Sequence, residues 1–174
     1  MHTPLIAVAT SNRLVQETIR GAVSAYYQQK GKGDAVQIAT VPADYVLNDG
    51  FVATIEAARL RAATAREKHG ALIGVAGARG NVSLRRDSRT IALWTTFAVA
   101  AVSAQSLVAC SLASNTYPEA MTPGINKIME DLLVGYAVGK PEPSEEDTEL
   151  ADVAITSWAE MYFEEPYLNL LWAQ

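Results

Sequence analysis

The chain has 174 residues, 49% apolar and 19% charged, with a net charge of −5. That length supports one domain with a sizeable core, and that composition is ordinary for a folded globular protein. A single cysteine, Cys110, excludes an internal disulfide, and with only His2 and His69 as candidate bases it reads as a buried structural thiol.

The opening MHTPLIAVATSNR has neither a basic leader nor a long apolar segment, so no signal peptide is expected. LIAVA (5–9) reads as an apolar strand. Thr10, Ser11 and Asn12 follow as candidate helix caps, and Val15, Ile19, Ala22 and Tyr26 then recur at helical spacing, joined by Leu14, Thr18 and Val23. Gly31 and Gly33 end that helix, and AVQIATV (35–41) alternates as a strand. PADYVLNDGF (42–51) reads as a loop, and VATIEAARLRAATAREK (52–68) as an alanine-rich helix.

Strands are expected at 71–77, about 90–101 and about 106–113, with ARGNVSLRRDSR as a polar connection ending in a basic hairpin tip, Arg85–Arg89. The most apolar run, IALWTTFAVAAVSAQSLVAC, carries Thr95, Thr96, Ser103, Gln105 and Ser106, so two buried strands explain it better than a membrane span. Thr122 and Pro123 start a helix whose stripe is Ile125, Ile128, Met129, Leu132 and Leu133. KPEPSEEDTE (140–149) reads as an acidic loop, LADVAIT (150–156) as a strand and EPYLNLLWA (165–173) as a last helix. The order defines a single α/β domain over residues 1–174, soluble and cytoplasmic, with no membrane partner.

Charge is uneven. Nine acids and no base lie between Glu142 and Glu165, whereas eight of the 14 bases lie between Arg59 and Arg89. Such asymmetry can mark an anion-binding face. No recognised nucleic-acid motif accompanies the basic tip, so nucleic acid is not an expected partner.

Several segments, in order, resemble the noncanonical purine NTP phosphatases, the inosine/xanthosine triphosphatase family. Ala9, Thr10 and Asn12 match the family's A-T-x-N-P-x-K, with Arg13 at the proline and Val15 at the lysine. Gly50, Thr54, Ala58 and Arg61 match G-x-x-x-T-x-x-G-A-x-x-R, with Val52 and Ala53 where acids are frequent. Val75, Ala76 and Gly80 match V-A-x-E-A-G, with Ala78 at the glutamate. Near the end Met161 and Tyr167 match, while Ala159 and Phe163 replace a glycine and an arginine.

The resemblance implies an inosine-triphosphatase-like fold, an elongated mixed sheet flanked by helices, in a family that forms homodimers and hydrolyses ITP and XTP with Mg²⁺. That reaction needs carboxylates on the metal and cations on the phosphates. Several of those charges are replaced here, so the resemblance implies purine nucleotide binding with weak or lost catalysis, and Mg²⁺ only if activity is retained. On this chain the motif-matched phosphate contacts are Thr10, Asn12 and Thr54; Arg13 and Arg79 stand beside the missing charges as substitute phosphate contacts, and Asp49 and Glu56, with Asp44 nearby, as substitute metal ligands. The alternative is a non-enzymatic interaction subunit that kept the fold, with Trp158, Tyr162, Phe163 and Trp172 at an interface.

Overall fold

The computed structural model describes residues 5–32, 37–41, 47–104, 107–113 and 119–164. Its elements are β1 (Leu5–Ala9), α1 (Arg13–Gln29), β2 (Gln37–Thr40), β3 (Leu47–Asp49), α2 (Phe51–His69), β4 (Ile73–Arg86), β5 (Arg89–Val102), β6 (Leu107–Ala113), α3 (Thr122–Ala137) and α4 (Glu145–Glu164). A 3₁₀ turn, Glu119–Met121, precedes α3. The expected last helix at 165–173 lies outside the described residues.

The protein is an α/β structure whose six strands form one mixed sheet flanked by helices. Strand order is β2-β1-β4-β5-β6. β1 is parallel to both β2 and β4, so Ile6 lies opposite both Ile38 and Ile73. β3 adds parallel to β4 farther along the same edge, Leu47 opposite Arg79. β4, β5 and β6 are antiparallel.

Strand alternation sends residues to two different layers. Ile6, Val8, Ile73, Val75, Phe97 and Val99 face α1 and α4, joining Val15, Ile19, Val23, Leu150, Ile155 and Trp158. Ala7, Ala9, Ala76, Ala78, Ala98 and Ala100 face α2, joining Ile55, Ala58, Ala62 and Ala65, with Met129, Leu132 and Leu133 of α3 packed alongside. Ile125 is the buried member of the α3 stripe. α1 and α4 run antiparallel: Thr18 meets Met161, and Tyr26 donates to Glu149 at 2.6 Å. Lys30 and Lys32 pair with Glu149 and Glu146, each at 2.9 Å.

Four readings of the sequence need correction. LADVAIT is helical, part of α4. Its buried residues Leu150, Ala151, Ala154, Ile155, Trp158 and Met161 follow helical spacing, a period that a seven-residue window hides. The acidic stretch becomes helix from Glu145, because Ser144 accepts the Asp147 amide at 3.1 Å and the acids of the first turn suit the helix N-terminus. Part of the expected 42–51 loop is β3. Finally, the polar connection after Gly77 is mostly strand, since β4 and β5 are paired as far as Arg86 and Arg89. The tip is a hairpin turn as expected, at Asp87 and Ser88.

β4 contains Gly74, Gly77 and Gly80 within its length. They admit close neighbours. A Cβ on Gly74 would collide with the Ala62 carbonyl and lie 2.8 Å from Arg66 Cβ. One on Gly77 would lie 2.5 Å from Phe97 Cζ and 3.1 Å from Trp158 Cζ2. One on Gly80 would collide with Thr54 Oγ1 and lie 2.9 Å from the Asn48 carbonyl.

Candidate functional site

The chain leaves β1 for α1 and β2 on one side, then returns through α2 to place β4 on the other side of β1. α1 and α2 therefore cover opposite faces of the sheet. The carboxyl ends of β1 and β4 form a topological switch point, where open α/β sheets leave a crevice. β1 stops at Ala9 opposite Ala76, whereas β4 continues and acquires β3 at Arg79. Gly77 and Ala78 thus lie between the ends of two strands on one edge.

The β1–α1 junction is built by its own polar groups. Thr10 is buried, and its hydroxyl accepts the Asn12 amide at 3.1 Å. Asn12 caps α1, its Oδ1 accepting the Leu14 amide at 3.0 Å. Gln16 Nε2 donates to the Thr10 carbonyl at 2.9 Å. Arg13, first residue of α1, is exposed, and the first turn contains no acid. A helix N-terminus of this kind favours an anion. Arg79 is half-buried in β4, on the sheet face shared by Val75 and Gly77 by alternation.

Thr54 belongs to the other face. It is fully buried, and its hydroxyl donates to the Gly50 carbonyl at 2.7 Å. Gly50 takes φ 95°, a conformation that favours glycine, and its amide donates to Asn81 at 2.7 Å. Ala58 is fully buried, and Arg61 Nη1 donates to the Gly77 carbonyl at 3.2 Å. The G-x-x-x-T…A-x-x-R pattern therefore docks α2 onto β4. Arg61 is the residue whose placement the sequence did not reveal. Its spacing in the motif was visible, but its target is a backbone carbonyl that only the fold brings near.

The two metal candidates are also separated in role. Asp49 is exposed on β3, opposite Asn81. Glu56 on α2 binds Arg59 through both oxygens, at 2.6 and 3.0 Å, and accepts the Tyr136 hydroxyl from α3. The Arg59 guanidinium also lies 4.6 Å from the centre of the Tyr136 ring. Hydrogen bonding from Arg59, helped by Tyr136, holds the Glu56 carboxyl below its ordinary range against the opposing effect of burial. Burial and then Glu56 push the Tyr136 hydroxyl up. This trio fastens α3 to α2. Asp44 lies outside the described residues.

Among the described residues no three His, Cys, Asp or Glu side chains come together to hold a metal ion. The two positions where the resembled motifs carry a lysine and a glutamate hold packed apolar residues. Val15 is fully buried in the α1/α4 core, and Ala78 is 2% exposed beneath α2. Both positions serve packing. Trp158 is likewise core, with its ring 6.0 Å from Phe97, and is no interface residue. The Tyr162 and Phe163 side chains and Trp172 lie outside the described residues.

No family model matches the chain, and no curated protein matches it. Among solved structures, protein VC0702 from Vibrio cholerae aligns over 95% of this chain and 98% of that one, at 17% identity and a TM-score of 0.44. Among the described residues, no helix is long and apolar enough to cross a membrane.

Proposed function

We propose that this protein binds purine nucleoside phosphates at the β1–α1 junction, as a relative of the inosine/xanthosine triphosphatases with little or no hydrolysis. The observation that carries the reading is the switch point itself. There the Asn12-capped start of α1, which lacks acids in its first turn, lies at the carboxyl end of β1. Arg13 and Arg79 supply cations for phosphate, while Thr10 and Asn12 hold the backbone that would meet it. Thr54 supports the site indirectly by fixing α2 on Gly80.

Binding in this reading does not depend on Mg²⁺. Glu56 is committed to Arg59 and Tyr136, and Asp49 stands apart from it in role. Without a metal and a lysine, charge developing on a transferred phosphoryl group would go largely uncompensated, and losing one such electrostatic contact costs about 10²–10³ in rate. Isothermal titration with ITP, XTP, GTP and ATP tests the reading when paired with an assay for phosphate and pyrophosphate. Heat of binding with and without Mg²⁺, and no product, is the expected outcome. Absence of binding across the panel would contradict it.

A homodimer and an inosine-triphosphatase-like fold belong to the same proposal. Exposed Val52 and Leu60 on α2, with Val134 on α3 and Val138 just past its end, give the α2/α3 side apolar surface suited to such contact. Sedimentation at a monomer's mass across all concentrations would remove the dimer from the account.

A further inference from the structure

The β4–β5 hairpin outgrows the body of the protein. Burial fades along β4 from complete at Ile73 to exposed at Leu84–Arg86. Beyond Gly80 and Thr96 the two strands pair with each other, apart from β3 at Asp49, opposite Asn81. The six residues from Asn81 to Arg86 correspond to about 20 Å of ribbon at about 3.3 Å per residue. Its register shifts between Leu84 and Arg85, and the tip residues Asp87 and Ser88 have φ 50° and 64°, as type I′ turns require.

The end of this ribbon is cationic. Arg85, Arg86 and Arg89 are exposed, Asp87 is the sole acid among them, and none forms an ion pair among the described residues. The remainder of the chain carries 11 bases and 18 acids, after removing three of 14 and one of 19. The basic end therefore stands out from an acidic body. Arginine forks suit phosphate oxygens, which take two parallel N–H donors.

The ribbon also shows leucine on both faces. Leu84 is 49% and Leu93 62% exposed. Leu84 lies opposite Ala92, and Leu93 opposite Ser83, so adjacent rows alternate between the faces. A flat anionic surface would meet one of them. A groove meets both. The duplex major groove admits a two-stranded ribbon, and apolar side chains there can contact thymine methyl groups.

We propose that the β4–β5 ribbon is a docking arm for double-stranded nucleic acid. Arg85, Arg86 and Arg89 contact phosphates, and Leu84 and Leu93 meet the groove. From sequence the basic tip was considered as a nucleic-acid contact and set aside because RRDSR matches no nucleic-acid motif; the projection of the ribbon, and arginines that form no ion pair among the described residues, supply the case.

Anisotropy with a labelled mixed-sequence DNA duplex tests it on the full chain. Three phosphate contacts predict a log–log salt slope of about −2.7, so affinity falls about 40-fold between about 50 and 200 mM salt. The triple variant Arg85→Gln, Arg86→Gln, Arg89→Gln should lose at least about tenfold in affinity and most of the slope. Asp87→Asn, which keeps a residue tolerant of positive φ, should bind more tightly and keep the assay decisive if the triple variant misfolds. No duplex binding at low salt would overturn the proposal. So would duplex binding unchanged by the triple variant, equal affinity for a single strand, or binding to phosphatidylserine vesicles alone.

Discussion

The two faces of the sheet are packed in opposite ways. Toward α1 and α4 the strands present Ile, Val and Phe, and the layer closes over Trp158. Toward α2 they present alanine, and the helix answers with Ala58, Ala62 and Ala65. The first face fills space with large side chains. The second removes space until helix and strand nearly touch at Gly74 and Gly80. Stability on the first depends on volume being present, and on the second on volume being absent. That difference also divides the candidate site, since α1 begins at an open switch point while α2 is clamped to β4.

The largest effect is expected on the bulky face. Trp158→Ala should cost about 3–5 kcal/mol, read by denaturant unfolding, because it empties the layer above Gly77 and Phe97. On the alanine face the opposite change is the damaging one. Gly74→Ala should cost about 3 kcal/mol, the upper end for overpacking, because the obstacle is the Ala62 backbone. If Gly74→Ala were neutral, the contrast between the faces would fail.

Smaller effects sharpen the comparison at its polar seams. Tyr136→Phe should cost about 1 kcal/mol by removing a donor from Glu56. Asn12→Ala should cost a similar amount, about 1 kcal/mol, by uncapping α1. Stability should also fall in acid. Glu56 and Glu149 both have carboxyls held below their ordinary 4.5, Glu56 chiefly by Arg59 and Glu149 chiefly by Tyr26. A depressed carboxyl stabilises above the unfolded value, and that contribution is lost as pH falls through the folded one. Melting temperature should therefore drop below about pH 4.5, and Glu56→Gln should flatten the α2/α3 share of the drop. An unchanged profile would deny the trio its role.

Much of the framework was readable from residues alone. β1, α1, α2 and the paired strands after Ala71 follow from apolar runs, caps and helical spacing. The α1 stripe was read as Val15, Ile19, Ala22 and Tyr26, joined by Leu14, Thr18 and Val23; of these Val15, Ile19 and Val23 are buried, and Tyr27 completes the buried set. α4 was missed because Leu150–Ile155 is apolar enough to pass for a strand until Trp158 and Met161 are counted with it. The length of β4 was missed because its glycines resemble breakers, and their partners Ala62, Trp158 and Thr54 are distant in sequence.

Among the candidate residues, only those close together in sequence could be placed from the sequence. Thr10, Asn12 and Arg13 cluster because they are consecutive or nearly so at a strand–helix junction. Glu56 could not be placed from sequence, because its second partner, Tyr136, is 80 residues away.

The most direct test of nucleotide binding at the switch point is an amide NMR titration of the full chain with ITP in the absence of Mg²⁺. Perturbations should concentrate at Thr10–Val15 and Gly77–Arg79, and should vanish in an Arg13→Ser, Arg79→Ser variant that keeps its fold. Saturating nucleotide at about 100 times its Kd would also stabilise the protein by about 2.7 kcal/mol. An unperturbed spectrum, or shifts confined to the β4–β5 ribbon, would contradict the account.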